Sequence, residues 1–128
     1  MRLAVIALAG ALALASVLPA AASDIGGKYT VQGRDPSGQA YAGQAAVVRK
    51  GDTYHVFWVL GPNQAIGTGI LTGDVFAVTY VIRGVPAPGL AIYDVDEDGA
   101  LSGRFTMLGE EMVGEETWTP ASTEEPLR

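Results

Sequence analysis

Apolar and polar residues alternate with a period of two through most of the chain, and no segment shows a convincing helical period. Turn-forming residues interrupt this alternation roughly every 8 to 12 positions, as in small barrels and sandwiches. The pattern predicts eight strands, over residues 28–32, 40–50, 53–60, 65–71, 75–82, 90–94, 100–107 and 112–119. Because short turns join antiparallel neighbours, we expect an all-β, up-and-down barrel with no free edge. A β-sandwich is the alternative.

Two of the predicted strands resemble each other. The segments "GDTYHVFW" and "GDVFAVTY" match at their alternate apolar positions: Tyr54, Val56 and Trp58 correspond to Phe76, Val78 and Tyr80. Alternate residues share one face of a strand, and buried aromatic rings contribute most to a small core. These six side chains are therefore predicted to point inward. Phe57 and Val59 would then lie outside, exposed or covered by a partner. The opposite assignment stays open, because both faces of residues 54–60 are apolar.

The first 22 residues have the pattern of a secretory signal peptide. Arg2 precedes an apolar run, Pro19 ends that run, and three alanines supply small residues for cleavage after Ala22. An uncleaved membrane anchor is the alternative. We therefore expect an exported bacterial protein, periplasmic or secreted, with no stable membrane span after cleavage. Residues 23–120 would form a single barrel domain, and 121–128 a disordered acidic tail.

Charge and composition reduce the number of functions that the chain could have. Without Arg2 the chain has seven basic and fourteen acidic residues, so nucleic acid is a poor partner because its phosphates would be repelled. The chain has no cysteine. An exported domain without disulfides must be held together by packing alone.

The segment "DVDEDG", residues 94–99, allows two interpretations. Asp94, Asp96 and Asp98 followed by Gly99 resemble the start of an EF-hand calcium loop. The twelfth position, however, is Phe105 where a glutamate is required, and both flanks are predicted strands rather than helices. A hairpin turn with Gly99 in the left-handed conformation is the favoured interpretation. We expect no metal site, with weak calcium binding by the three aspartates as the alternative.

The sequence shows no recognisable catalytic arrangement. His55 is the single histidine and lies in a predicted strand, without a partner that would make a zinc site or a triad. Glu115 and Glu116 are adjacent, so they point to opposite faces of a strand and do not form a dyad. We expect a protein that is not an enzyme and that has no cofactor.

Binding is the remaining class of function. An eight-stranded barrel has room either to fill its interior or to hold one small ligand. Trp58, Tyr80, Tyr93 and Trp118 are candidates to line such a pocket, although they could simply fill it. Phe57 is the candidate for an outward contact with a partner.

A family resemblance adds to this interpretation. The segments "GKYTVQGRDPSGQAYAGQAAVVRKGDTYHVFWVL", "GTGILTGDVFAVTY", "GLAIYDVDEDGALSGRF" and "GEETWTP" resemble a family of small exported bacterial proteins. Its members are usually labelled "fibronectin-binding protein" or left without a characterised function. The resemblance implies a hairpin ending at Asp98-Gly99 and implies no catalytic residue. Many relatives have a cysteine pair around the third and fourth strands, which this chain lacks.

These observations lead to two main hypotheses and a third. The first is an exported, monomeric binding protein whose partner is an extracellular protein such as fibronectin. The alternative is a small-molecule-binding barrel of the lipocalin or avidin type, whose lumen would be open beside Trp58 and Tyr80. A hydrolase is the third, and it requires a carboxylate with a partner inside the lumen.

Overall fold

The chain folds into eight strands that alternate along the sequence with short connections. The structure, a computed structural model, describes residues 24–121. The strands are β1 (Gly27–Arg34), β2 (Ala40–Lys50), β3 (Thr53–Leu60), β4 (Asn63–Thr72), β5 (Val75–Ile82), β6 (Gly89–Val95), β7 (Leu101–Met107) and β8 (Gly114–Pro120). Each pairs antiparallel with the next, and β8 pairs with β1 to close the barrel. The predicted up-and-down barrel is confirmed, and the sandwich alternative is not.

The predicted strand boundaries agree with the structure for β2, β3 and β5, and differ by one or two residues elsewhere. The largest shift that has a clear cause is at the start of β8. Met112 and Val113 were included in that strand, but they lie in the preceding loop with largely exposed side chains. The Thr106 hydroxyl donates a hydrogen bond to the Met112 carbonyl oxygen, which holds this segment as a loop. Apolar residues in that loop had resembled a strand.

The inward faces are those that the alternation predicts. Tyr54, Val56 and Trp58 on β3 are buried, and so are Phe76, Val78 and Tyr80 on β5. The inward assignment of these six residues is confirmed. Phe57 and Val59, which alternate with them on β3, are about half exposed on the outer wall. The interior is therefore built from one face of every strand, as a closed barrel requires.

Glycines make room for the aromatic rings inside the barrel. Six glycines pair directly across the sheet with an aromatic residue: Gly33 with Tyr41, Gly69 with Tyr54, Gly67 and Gly89 with Tyr80, Gly103 with Tyr93, and Gly114 with Phe105. At Gly103 a Cβ atom would lie 2.6 Å from the Tyr93 ring and 2.1 Å from a backbone oxygen. The ring thus occupies the space that a side chain would take. The interior holds many large rings because their cross-strand partners are glycines.

The two ends of the barrel are built differently. At one end lie the turns after β2, β4 and β6, together with the N-terminal segment 24–26. Ile25 is 3 % exposed and belongs to the core cluster, and its carbonyl oxygen accepts a hydrogen bond of 2.6 Å from the Tyr29 hydroxyl. We call this the closed end. At the opposite end, the open end, lie the loops 35–39, 61–62, 83–88 and 108–113.

The predictions for the two termini lie mostly outside residues 24–121. The predicted signal peptide, residues 1–22, lies outside them, as does most of the predicted acidic tail. Ala121, the first tail residue, is described, and its N–H donates to the Lys28 carbonyl oxygen at 2.9 Å. Within residues 24–121 there is no helix of the length and hydropathy needed to cross a membrane.

Candidate functional site

A cavity of about 470 Å³ lies inside the open end of the barrel. This volume falls in the range of small-molecule sites. Aromatic side chains form much of its wall, and the other lining residues are small, aliphatic or uncharged polar groups with two carboxylates. The lining residues are Asp35, Gln39, Ala40, Tyr41, Trp58, Leu60, Asn63, Gln64, Ala65, Tyr80, Ile82, Val85, Tyr93, Phe105 and Glu116. The interior is therefore filled towards the closed end and hollow towards the open end.

The strand alternation explains how a carboxylate comes to lie in the interior. On β8 the buried residues are Gly114, Glu116 and Trp118, and the residues between them face outward. Glu116 is 6 % exposed, whereas its neighbour Glu115 is exposed. Glu116 is the single polar or charged residue among the buried side chains of residues 24–121. Burying a carboxylate is costly unless hydrogen bonds satisfy it.

Four aromatic side chains donate hydrogen bonds to the buried Glu116 carboxylate. The Tyr41 hydroxyl donates to Oε1 at 2.6 Å. The other oxygen, Oε2, accepts from the Tyr93 hydroxyl at 3.1 Å, the Trp58 indole N–H at 3.1 Å and the Trp118 indole N–H at 2.5 Å. An indole nitrogen can only donate, so Oε2 must act as the acceptor for both tryptophans. This arrangement matches the ionised carboxylate.

The phenols around this carboxylate are harder to ionise than an exposed tyrosine. Burial, followed by the negative charge of Glu116, raises the pKa of Tyr80 to about 12. The same two causes, together with the hydrogen bond to Glu116, raise the pKa of Tyr41 and of Tyr93. These hydroxyls therefore remain protonated donors at neutral pH, which keeps the hydrogen bonds to Glu116 intact.

The structure brings three of the four predicted binding residues together. Trp58, Tyr80 and Tyr93 all line the cavity, and the ring centroids of Trp58 and Tyr80 are 5.6 Å apart. Trp118, a further candidate to line the lumen, is fully buried, and its ring centroid lies 4.7 Å from that of Tyr93. It belongs to the filled part of the interior, and its contact with the site is the hydrogen bond from its indole N–H to Glu116.

Phe57, the fourth predicted binding residue, lies on the outer wall and not in the cavity. The sheet register places it beside Ile66, which in turn lies beside Val81. All three side chains are between 40 % and 60 % exposed. The outer wall at β3, β4 and β5 is thus apolar over a row of three strands.

Sequence reasoning missed Glu116, Tyr41 and Phe105 as site residues. The signal for Glu116 was present, because it lies two residues from the apolar Trp118 and so shares its face. The alternation places Glu115 and Glu116 on opposite faces of β8, and Glu116 is the one on the inward face. Tyr41 and Phe105 gave a weaker signal, because a neighbour two positions away on the same strand face is a glycine in each case, Gly43 and Gly103.

The aspartate segment forms a hairpin turn. The Asp96 N–H donates to the Ala100 carbonyl oxygen and the Gly99 N–H to the Asp96 carbonyl oxygen, with Gly99 at a φ of 84°. The Asp96 carboxylate accepts from the N–H groups of Asp98 and Ala100, both at 2.9 Å. Asp94 lies on the exposed face of β6. Within residues 24–121 no three His, Cys, Asp or Glu side chains are grouped as a metal site would need.

Comparisons with known proteins support the fold. No family model matches the chain, and no curated protein matches it in sequence. Among solved structures, a redesigned β-barrel matches with a TM-score of 0.66 at 16 % identity, covering 77 % of this chain and 92 % of its own. The redesigned barrel mFAP1, bound to DFHBI, matches with a TM-score of 0.62 at 15 % identity, covering 73 % and 93 %. The REP1-NXSQ fatty acid transporter matches with a TM-score of 0.53 at 9 % identity, covering 79 % and 98 %. At these identities the likeness shows a shared barrel architecture.

Proposed function

We propose that this barrel binds a small, largely apolar molecule in the open-end cavity. The observation that carries the proposal is the uneven filling of the interior: the closed end is packed, and the open end holds a cavity of about 470 Å³. Aromatic walls with a few placed polar groups are typical of ligand sites. The cavity has that composition, with Glu116 and its aromatic donors at the floor and amide side chains near the mouth.

The comparisons support the same function by analogy of fold. One similar barrel is bound to the small molecule DFHBI, and another is a fatty acid transporter. A shared fold does not by itself imply a shared function, so the main support for the proposal is the cavity of this chain.

Binding of a protein through the outer wall is a second candidate. Phe57, Ile66 and Val81 form an exposed apolar row on three adjacent strands, as the first sequence hypothesis requires. Fibronectin as the partner remains a prediction from the family resemblance. Export and the lack of enzymatic activity likewise remain predictions from the sequence.

The cavity can be tested by filling it. Ala65 lines the cavity and is buried, whereas its neighbour Ile66 is 55 % exposed on the outer wall. Ala65→Phe should occupy the cavity, and Ile66→Phe adds a ring to the same strand outside it. The neutral dye N-phenyl-1-naphthylamine gains fluorescence in an apolar site and serves as the probe. We expect saturable binding to the wild type and to Ile66→Phe, and little binding to Ala65→Phe.

Circular dichroism and thermal unfolding of both variants provide the control for folding. Dye binding that survives in a folded Ala65→Phe variant, or that disappears in Ile66→Phe, would place the apolar site outside the cavity. Such a result would favour the outer wall as the binding surface.

A further inference from the structure

We propose that the ligand carries a protonated amine or a similar N–H cation, and that Glu116 receives this group at the cavity floor. The inference rests on the proposed function, because it names the chemical class of molecule that the open-end cavity takes. It is carried by the charges that surround Glu116 and by the aromatic walls above it.

The negative charge of Glu116 has no opposite charge beside it among the groups that bind it. All four of its hydrogen-bond donors, from Tyr41, Tyr93, Trp58 and Trp118, are neutral. The described residues that line the cavity include no lysine, arginine or histidine. A buried carboxylate is usually paired with a cation. Because Glu116 lines the cavity, a cation on a ligand bound there would supply this missing charge.

The hydrogen bonds also leave Glu116 some capacity to accept. Oε2 already accepts from three donors, whereas Oε1 accepts from the Tyr41 hydroxyl alone. Each carboxylate oxygen has about two acceptor positions, so the three donors already fully use Oε2. A ligand N–H would therefore bind at Oε1, which has one donor. A charge-assisted hydrogen bond of this kind is about twice as strong as a neutral one.

The aromatic walls suit the same ligand. Trp58 packs against Tyr80, and Tyr41 packs edge-on against Phe105 with centroids 6.2 Å apart, so two aromatic pairs border the space above Glu116. The faces of such rings attract cations, tryptophan most strongly. They also provide flat apolar surface for the rest of the molecule. The cavity thus combines an anion at its floor with rings at its sides.

An anionic ligand, by contrast, would face negative charges in this cavity. Besides Glu116, the other charged residue that lines the cavity is Asp35, near the mouth. Hydrogen bonds from the Ser37 side chain and the Gln39 backbone lower the pKa of the Asp35 carboxyl, which keeps it ionised. The whole chain has a net charge of −6. A ligand carboxylate would therefore be repelled both at the mouth and at the floor.

The test compares three probes that share one apolar body: 2-naphthylmethylamine, which is protonated at neutral pH, 2-naphthylmethanol, which is neutral, and 2-naphthoate, which is anionic. Isothermal titration calorimetry of the purified protein gives each dissociation constant. We expect the amine to bind at least about tenfold more tightly than the alcohol, as one charge-assisted hydrogen bond provides. The acid should bind more weakly than the alcohol.

Two variants assign the preference to one side chain. Glu116→Gln removes the charge and keeps an oxygen for the two indole N–H groups, while its NH₂ group can donate to the Tyr41 hydroxyl. Glu115→Gln removes the same charge from the exposed face of β8. We expect Glu116→Gln to lose most of the preference for the amine over the alcohol. Glu115→Gln should behave as the wild type does.

The outcomes separate this inference from the proposed function. If the wild type binds all three probes equally, or binds the acid best, the cation inference is wrong while binding of apolar molecules stands. If none of the probes binds and the neutral dye does not bind either, both fail. If Glu116→Gln does not fold, the order of the three probes on the wild type still decides. An amine preference that Glu115→Gln abolishes would assign it to surface charge and overturn the inference.

Discussion

The closed and open ends of the barrel use the same strands and the same alternation, yet one is packed and the other hollow. At the closed end Phe76 and Leu101 are fully buried and Ile25 closes the interior. At the open end Leu60, Ile82 and Phe105 are only partly buried and border the cavity. The inward side chains at both ends are mostly apolar. The difference therefore does not lie in hydrophobicity.

What differs between the ends is the chain that covers them. Segment 24–26 enters the closed end, where the Tyr29 and Tyr54 hydroxyls bond to the Ile25 carbonyl oxygen and the Asp24 carboxylate. At the open end the loops are longer, and Asp35, Asn63 and Gln64 stand at the cavity. One buried apolar residue, Ile25, thus covers the packed end, whereas polar side chains from loops and strand ends border the hollow end.

The largest effect that separates the two ends should come from removing a ring. Phe76→Ala at the closed end should lower the free energy of unfolding by about 3–5 kcal/mol, because a fully buried ring leaves a cavity. Phe105→Ala at the open end removes a partly buried ring beside an existing cavity, so we expect a loss of about 1–2 kcal/mol. Urea unfolding followed by circular dichroism measures both. Equal losses would show that the open end is packed as closely as the closed end.

The next effect concerns the glycines that make room for rings. Gly103→Ala should cost about 1–3 kcal/mol, because the new Cβ would overlap the Tyr93 ring and a backbone oxygen. Gly26→Ala in the closed-end segment is the control, since its nearest atom would be the movable Asp24 carboxylate at 3.3 Å. We expect that control to change stability by less than about 0.5 kcal/mol. A neutral Gly103→Ala would mean that the interior rings can shift into the cavity at little cost.

A smaller effect should separate the hydroxyl groups at the two ends. Tyr41→Phe removes the single donor to Glu116 Oε1, a hydrogen bond of 2.6 Å to a charged group. It should lower the free energy of unfolding by about 1.5–3 kcal/mol. Tyr54→Phe removes a bond of 3.3 Å to Asp24, which is exposed, and should cost less than about 0.5 kcal/mol. Chemical denaturation of the two variants gives the comparison. A larger loss in Tyr54→Phe would place the important polar network at the closed end.

The smallest expected effect concerns the ionisation of Tyr80, which changes the stability of the protein only at alkaline pH. The pKa of Tyr80 is raised to about 12 in the folded protein, above the value of about 10 in an unfolded chain. Its contribution to stability is therefore complete below about pH 10 and is lost as the pH rises towards 12. Ultraviolet absorbance should show tyrosines that ionise late, together with the loss of circular dichroism.

Tyr80→Phe is the control for that titration. It should remove one late-ionising group and leave the late ionisation of Tyr41 and Tyr93 in place. If every tyrosine instead ionises near pH 10 while the protein is still folded, the hydroxyls at the open end are not held as the structure describes.

The strands, their order and their inward faces were predictable from the sequence because each depends on local information. A period of two places Tyr54, Val56 and Trp58 on one face whatever the neighbouring strands do. Turn residues such as Gly51-Asp52 and Gly73-Asp74 indicated where β2 and β4 end and where β3 and β5 begin. The start of β8 was misplaced because Met112 and Val113 are apolar without being in a strand, and an exposed apolar loop gives no separate local signal.

The candidate site was only half predictable. Trp58, Tyr80 and Tyr93 were identified because large aromatic residues on inward faces are unusual enough to notice. The role of Glu116 depends on donors from β2, β3, β6 and β8, which lie up to 75 positions from it in the sequence. No local pattern joins them. Phe57 was rightly placed outside, but the row that it forms with Ile66 and Val81 depends on the register between strands.

The sequence alone determined an all-β chain of eight antiparallel strands with the correct residues facing inward, because alternation and turn chemistry act over a few residues. Only the tertiary structure decided that the interior is filled at one end and hollow at the other. It also decided that a carboxylate lies between the two halves, held by four neutral donors. The physical reason is that filling depends on volume. The space inside a closed barrel is shared by all eight strands, and which rings reach its centre is settled only when the strands close around them.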